Sequence, residues 1–375
     1  MTARASLRIV AHNGARIFGG AERWTARTLA GLSARGHRAT LLCRDERIAS
    51  EARRFGIDTA VGRVGGQLMV PDAFRLARRL RKLAPDVVLI TTFKKVWLVA
   101  MAARLAGVPR VVARIGRATD LPGRSRAYRW ALQRWTDLIV VNADALRAPV
   151  LDDLPAVGED RVRVIYNGVR IPRGEPDRAG ARGVLGVPGE ALVVGAVSRL
   201  VREKRLDWLI DVAAREPRAH VVLIGDGPDL ERLRDAAAAR GVAGRVHFAG
   251  HREDAATVVA ALDLYAVASR VEGMSNAMLE AMAVGVPVVS TDVSGAREAL
   301  LPGSASGCTA ARDGWAEAAA GVVVPHERDA FVSASLALLR DAPARAACAR
   351  AARKRAEACF SLEAALDAWE RALHG

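Results

Sequence analysis

The sequence predicts an α/β chain of two domains, each built on a mostly parallel sheet. Length is the first observation: 375 residues exceed one small domain and fit two of ordinary size. The second is pattern. Short Val/Ile/Leu runs alternate with Ala/Leu/Arg stretches of helical character, as in buried parallel strands joined by crossover helices. The third is a break in that alternation at 167–189, NGVRIPRGEPDRAGARGVLGVPG, whose Gly, Pro and Arg read as an interdomain linker. The expected domains are residues 1–180, residues 181–345, and a helical tail, 346–375, packing back toward the first domain. Hydrophobic residues make up 51% and aromatics 5%, so the cores must be mainly Ala, Val and Leu.

In the first half, Leu7–Ala11 reads as a strand, followed by a loop over His12–Gly20 and a helix from about Ala21 to Ala34 that ends at Gly36. Further strands are expected at Ala39–Cys43, Val87–Thr91, Arg110–Ala113, Leu138–Val141 and Val162–Ile165. The second half restarts the alternation. Its strands are Ala191–Val197, His220–Ile224, Val246–Phe248, Leu264–Val267, Val286–Ser290 and a short one near Gly321–Val324. Residues 329–374 read as almost entirely helical.

The net charge of +15 is unevenly placed. Residues 1–180 hold 33 Lys and Arg against 16 Asp and Glu, and the remainder holds 23 against 25. The basic half should face an anionic membrane, an acidic glycan or nucleic acid. The four cysteines, Cys43, Cys308, Cys348 and Cys359, show neither Cys-x-x-Cys spacing nor nearby His, which argues against zinc and against a disulfide framework and fits a reducing cytosol. The N-terminal apolar run is too short and polar for a signal peptide, and no stretch approaches the roughly 20 apolar residues of a membrane span. A cytoplasmic location is therefore expected, with peripheral contact to the membrane's inner face allowed.

Four segments carry candidate chemistry. In 264–300, a strand ends near Ser269, a loop carries Glu272 and Gly273, and a helix starts around Ser275–Asn276 with Glu280 one turn inside. Unpaired amides and the dipole at a helix start make an anion site. Gly273 lets backbone approach a ligand, and two flanking carboxylates can accept hydrogen bonds from hydroxyls. The competing reading makes Glu272 a solvated loop charge and Glu280 a surface residue. Next, Ser198 to Lys204 follows the strand Ala191–Val197 directly, where open α/β sheets bind ligands. Arg199 and Lys204 there can neutralise a diphosphate, or simply sit on a surface loop. The turn Gly225-Asp226-Gly227-Pro228 and the junction Phe18-Gly19-Gly20-Ala21-Glu22-Arg23 also follow strands, and each reads equally as a ligand approach or a tight turn.

Together and in this order, these segments resemble glycosyltransferase family 4. The resemblance rests on Gly19 to Arg23, Val164-Ile165-Tyr166-Asn167-Gly168-Val169, Ser198 to Lys204, Gly225 to Pro228, and the Glu-x7-Glu signature from Glu272 to Glu280. It implies the GT-B fold, two Rossmann-like domains facing a cleft, and a retaining transfer of sugar from a nucleotide-diphosphate donor without a metal or other cofactor. By the resemblance, Arg199 and Lys204 hold the diphosphate and Glu280 the ribose. Glu272 and the backbone of Gly273, Met274, Ser275, Asn276 and Ala277 face the donor sugar and phosphates. Gly19 and Gly20 close over the phosphate, Gly225 and Asp226 lie near the nucleotide, and His251 and Arg252 lie near the base. Many members carry a His after the strand equivalent to Val111–Ala113. Here Arg114-Ile115-Gly116-Arg117 stands instead, so Arg114, Arg117 and His12 are the acceptor-side candidates.

The acceptor expected is a glycan or glycolipid, in lipopolysaccharide or other envelope polysaccharide synthesis. Residues 71–83, PDAFRLARRLRKL, read as a basic amphipathic helix with Phe74, Ala77, Leu80 and Leu83 on one face. Basic-aromatic clusters at 93–97 and 124–130 add to an anionic-membrane reading. Two rivals remain. A nucleotide-sugar epimerase of the same fold would need no acceptor. A non-catalytic nucleic-acid- or partner-binding protein would explain the charge, but no recognised nucleic-acid motif appears and no nucleic-acid partner is expected.

Overall fold

A computed structural model of the chain describes residues 5–62, 69–92, 95–121, 125–301, 303 and 319–375. The chain divides into two compact units, Met1–Asn167 with Glu363–Gly375, and Gly168–Leu362.

The first unit runs β1 (Arg8–Asn13), α1 (Gly20–Ala34), β2 (Arg38–Cys43), α2 (Glu46–Arg53), β3 (Asp58–Val61), α3 (Met69–Leu83), β4 (Val87–Ile90), α4 (Val96–Leu105), β5 (Arg110–Ile115), α5 (Arg126–Trp135), β6 (Leu138–Val141), α6 (Arg147–Asp153) and β7 (Val162–Val164). Its seven parallel strands lie in the order β3-β2-β1-β4-β5-β6-β7. The central strands are buried end to end because helices cover both faces, which is why they read as unbroken apolar runs. β3 is a strand that the sequence pattern did not announce. It is a four-residue edge strand opening with Asp58 and only half-buried, so neither length nor apolar content marks it.

The second unit runs α7 (Arg178–Leu185), β8 (Leu192–Val197), α8 (Asp207–Arg215), β9 (Ala219–Ile224), α9 (Leu230–Ala239), β10 (Val246–Gly250), α10 (Ala255–Val258), β11 (Leu264–Val267), α11 (Asn276–Ala283), β12 (Val288–Thr291), α12 (Ala296–Leu300), β13 (Gly321–Val324), α13 (Arg328–Arg340) and α14 (Ala342–Cys359). α15 (Leu362–His374) then falls in the first unit apart from its leading residue. The sheet order is β10-β9-β8-β11-β12-β13, all parallel. The order reverses between β8 and β11, which opens a crevice at their carboxyl ends.

The expected domain limits shift in two places. The unit boundary falls at 167/168, at the very start of the expected linker, because most of that stretch is folded into the second unit. Asp177 caps α7 by accepting the Gly180 amide at 2.8 Å, and Gly186 ends the helix at φ 65°. Arg178 and Arg182 reach Asp263 at 2.5 and 2.8 Å. Val169 donates to the Phe360 carbonyl at 2.9 Å. The tail also divides. α14 packs on α11 and α13, and its buried Arg355 donates to the Glu298 carbonyl at 2.6 Å. α15 packs on α1 instead: Trp369 lies against Trp24 with ring centroids 5.6 Å apart, and Arg35 pairs with Glu363, Asp367 and Glu370. Gly31 admits this approach, since a Cβ there would stand 2.5 Å from Leu366 Cδ1.

Cys43 and Cys348 are free thiols, and Cys308 lies outside the described residues. No helix among the described residues is long and apolar enough to cross a membrane.

Candidate functional site

The carboxyl ends of β8 and β11 carry the two loops with the strongest sequence signals, and the fold brings them together. After β8 the chain turns through Ser198–Val201 into a short 3-10 turn, Arg202–Lys204. After β11 it passes Ser269 and Glu272 to Ser275, which caps α11 by accepting the Met278 amide at 3.4 Å. The loops are joined twice. The Arg270 amide donates to the Glu203 carbonyl at 2.8 Å, and the Lys204 ammonium forms an ion pair with Glu272. Both partners are largely enclosed, with side chains 15% and 20% exposed. Lys204, Glu272 and Ser275 line one narrow pocket with Ser198, Tyr265 and Ser269. A cation, a carboxylate and the leading amides of an eight-residue helix thus converge at the crevice that the strand order opens.

Tyr265 is a site residue that the sequence reading passed over. It lies in β11, its hydroxyl donates to the Val197 carbonyl at 3.3 Å, and it is fully buried. Burial pushes its phenol up. Its hydrogen bond to Val197 opposes this, and the charges of Glu272 and Glu280 add to it. Both carboxylates of the Glu-x7-Glu signature therefore lie within electrostatic reach of one phenol. The available signal was chemical: a Tyr inside a Val/Ala strand must find a partner for its hydroxyl. Arg205 was also missed. It follows Lys204 at φ 48°, a backbone region rare for residues other than Gly, with its guanidinium 4.7 Å from the Trp208 ring centroid.

Arg199 is exposed and its side chain has no hydrogen bond or ion pair among the described residues, so its charge is available. Gly273 and Met274 are buried. Met274 is 3% exposed, and only its backbone can meet a ligand. Gly225 and Gly227 act as a buttress for the β8 loop. A Cβ on Gly225 would lie 2.0 Å from the Ser198 carbonyl oxygen, and one on Gly227 would lie 2.2 Å from that of Leu200. These glycines admit protein backbone. The Asp226 carboxylate accepts the His251 amide at 3.1 Å and so fixes the loop after β10. Arg252 in that loop is bound bidentately by Asp254 at 2.8 and 2.7 Å, while His251 is exposed.

In the first unit, Gly19 caps α1. Its amide donates to Glu22 Oε2 at 3.0 Å, and Glu22 Oε1 accepts from Asn13 at 3.3 Å. A Cβ on Gly20 would meet nothing within 4 Å, so there is space beside that residue. Beside it, an open groove of about 570 Å³ is lined by Arg16, Ile17, Phe18, Arg47 and Glu51. Two acceptor-side candidates turn out to be interior. His12 is 3% exposed, and burial with the charge of Lys95 lowers it to about 4; its Nδ1 has no partner among the described residues. Arg114 is 6% exposed, stacked 3.7 Å over the Trp24 ring and donating to Asn167 Oδ1 at 2.8 Å. Burial lowers Arg114 to about 10, which leaves it cationic at neutral pH. Arg114 is thus an interior cation, held between the Trp24 ring and Asn167. Arg117 is exposed and pairs with Asp120 at 3.4 Å.

The profile of Glycosyltransferase Family 4 matches residues 18–173, and that of Glycosyl transferases group 1 matches residues 191–341. LpsE of Rhizobium meliloti, a lipopolysaccharide core biosynthesis glycosyltransferase, is 36% identical over 179 residues, 48% of this chain and 49% of its own length. A D-inositol 3-phosphate glycosyltransferase of Mycolicibacterium paratuberculosis is 32% identical over 283 residues, 72% of this chain and 60% of its own. The matched part thus spans about half to three-fifths of these relatives. The structure of Anabaena HepE in complex with UDP and glucose superposes with a TM-score of 0.82 at 22% identity, covering 98% of this chain and all of that one. That likeness shows the fold, two Rossmann-like units of the GT-B class. The two profiles cover both units, and the chain belongs to glycosyltransferase family 4.

Proposed function

We propose that this protein transfers a sugar from a nucleotide-diphosphate donor to a glycan or glycolipid in envelope polysaccharide or lipopolysaccharide synthesis, at the cytoplasmic face of the membrane. The observation that carries the reading is the Lys204–Glu272 pair beside the Ser275-capped start of α11, at the β8–β11 crevice. The diphosphate sits against Lys204, Arg199 and the α11 amides, with Glu280 toward the ribose and Glu272 toward the sugar. As the bond from the sugar's anomeric carbon to the phosphate oxygen breaks, negative charge grows on the nucleotide diphosphate, and these fixed cations and amides stabilise it. In a retaining, front-face course, the acceptor oxygen bonds to the anomeric carbon and its proton passes to the departing phosphate oxygen. Glu272 orients the sugar and does not attack it.

The groove at Arg16, Phe18 and Arg47 supports an acceptor on the first unit. LpsE, named for lipopolysaccharide core synthesis, supports the substrate class. We also propose metal independence, since no three His, Cys, Asp or Glu side chains converge among the described residues. The epimerase alternative finds no support in the relatives named above. The test incubates the full chain with a nucleotide sugar and a lipopolysaccharide-core acceptor in excess chelator, and reads the product by anomeric proton NMR. A new glycosidic signal with the donor's anomeric configuration is expected. Inverted product would overturn the front-face course, a requirement for divalent ion would overturn metal independence, and isomerised donor without transfer would favour the epimerase.

A further inference from the structure

α4 packs between α3 and α5 on one side of the first unit's sheet. α3 carries Arg75, Arg78, Arg79, Arg81 and Lys82 against the single carboxylate Asp72, and α5 carries Arg126, Arg129 and Arg134 with none. α3 buries Ala73, Leu76, Ala77 and Leu80. Phe74, placed by the sequence pattern on the apolar face, instead points outward and is 54% exposed. Trp130 on α5 is 52% exposed. These are two of the few large apolar side chains left open on the described surface, and both stand among cations.

Some of these cations brace the helix layer. Arg81 donates to the Leu105 carbonyl at 2.5 Å, Arg104 reaches Asp137 at 2.6 Å, and Arg75 pairs with Asp72 at 2.8 Å. Arg78, Lys82, Arg126 and Arg134 are exposed and their side chains have no partner among the described residues. Partnerless cations around outward aromatics are the chemistry of a helix face lying on an anionic interface: the charges meet headgroups and the rings enter the boundary. A single-stranded nucleic acid would instead need rings spaced along one groove, whereas Phe74 and Trp130 stand on helices separated by α4.

We infer that the outer face of α3, α4 and α5 docks on an anionic lipid bilayer, with Arg78, Lys82, Arg126 and Arg134 as headgroup contacts and Phe74 and Trp130 as inserting groups. This deepens the proposal of a glycolipid acceptor and rests on it, because the docked face would hold the first unit at the surface where such an acceptor lies. The docking face and the donor crevice belong to different units, so the two can fail separately.

The test is flotation of the full chain with vesicles of phosphatidylcholine alone and of phosphatidylcholine with one third phosphatidylglycerol. Binding is expected only with phosphatidylglycerol and should weaken with added salt. Each neutralised cation should cost about 5-fold in partition coefficient, so Arg78→Gln with Lys82→Gln should cost about 30-fold. Phe74→Ser with Trp130→Ser should remove the binding that survives high salt. All four positions are on the surface, and unchanged melting of each variant confirms folding. UDP binding, read in parallel, should be unaffected by these changes, while Lys204→Met should lose UDP and keep vesicle binding. Failure of wild-type flotation, equal flotation of the variants, or binding to a soluble polyanion but not to vesicles would overturn the inference.

Discussion

Replacing Lys204 by Met separates the roles of the ion pair in the empty and the loaded site. In the empty protein the change strands the Glu272 carboxylate, a side chain only 20% exposed, without its counter-ion. An exposed pair would contribute about 0–1 kcal/mol and a fully buried one about 3–5 kcal/mol on losing a partner. This pair lies between, so a loss of about 2 kcal/mol is expected. The double variant Lys204→Met/Glu272→Gln removes the stranded charge and should regain most of that stability. Donor binding responds differently. A charge-assisted contact to diphosphate contributes about 1.5–3 kcal/mol, or about 10- to 150-fold in affinity and in kcat/KM where it persists in the transition state. The single variant loses that contact and also presents an unpaired carboxylate to an anion. The double variant should therefore recover the part due to repulsion and no more. Urea denaturation and UDP titration calorimetry on the full chain measure the two effects. A single variant that melts and binds UDP like the wild type would refute the assignment of Lys204, and full recovery of UDP affinity in the double variant would refute direct contact with the diphosphate.

Other outcomes follow from the same geometry. Arg199→Ala removes a side chain with no partner among the described residues, so the midpoint of unfolding should stay put while kcat/KM falls about 10- to 150-fold; equal kinetics in a folded variant would remove Arg199 from the site. Gly225→Ala forces a Cβ to within 2.0 Å of the Ser198 carbonyl at φ 135°, and should cost at least about 2 kcal/mol and displace the Arg199 loop; wild-type stability by urea denaturation would contradict the buttress. His12 sits neutral in the folded protein, lowered from 6.5 to about 4, so the unfolded chain takes up a proton first as pH falls. Its contribution is whole above pH 6.5 and is lost toward pH 4, about 3 kcal/mol in all. His12→Gln should flatten stability against pH across that window in urea titrations of the full chain, and an unchanged slope would refute the burial argument.

The strand alternation was legible because buried parallel strands leave long apolar runs, and β8 to β13 lie where the pattern places them. The Lys204–Glu272 partnership was legible only as two loops at strand ends; that they meet follows from the strand order, which no local pattern encodes. The Gly225 and Gly227 signal was visible but its meaning was not, since what crowds these positions is the Ser198 and Leu200 carbonyls, more than twenty residues earlier in the sequence. Arg114 stood out as a charge in a strand, yet its partner rings and amides, Trp24 and Asn167, come from distant parts of the first unit. α7 was hidden by Gly180 and Gly183, which weaken helix propensity, and is held by the Arg178 and Arg182 contacts to Asp263. Phe74 fits the helical period of the apolar face only at its margin: the buried stripe of α3 is Ala73, Leu76, Ala77 and Leu80, which leaves Phe74 outward.

The central claim is that the β8–β11 crevice holds a nucleotide-diphosphate sugar. Ligand-observed NMR of the full chain against a panel of nucleotide-diphosphate sugars, in chelator and with Glu280→Ala as the matched control, tests it most directly. Saturation transfer to one donor, lost in the folded variant, is the predicted result. A folded wild-type protein that binds none of the panel, or that binds one equally with and without Glu280, would contradict it.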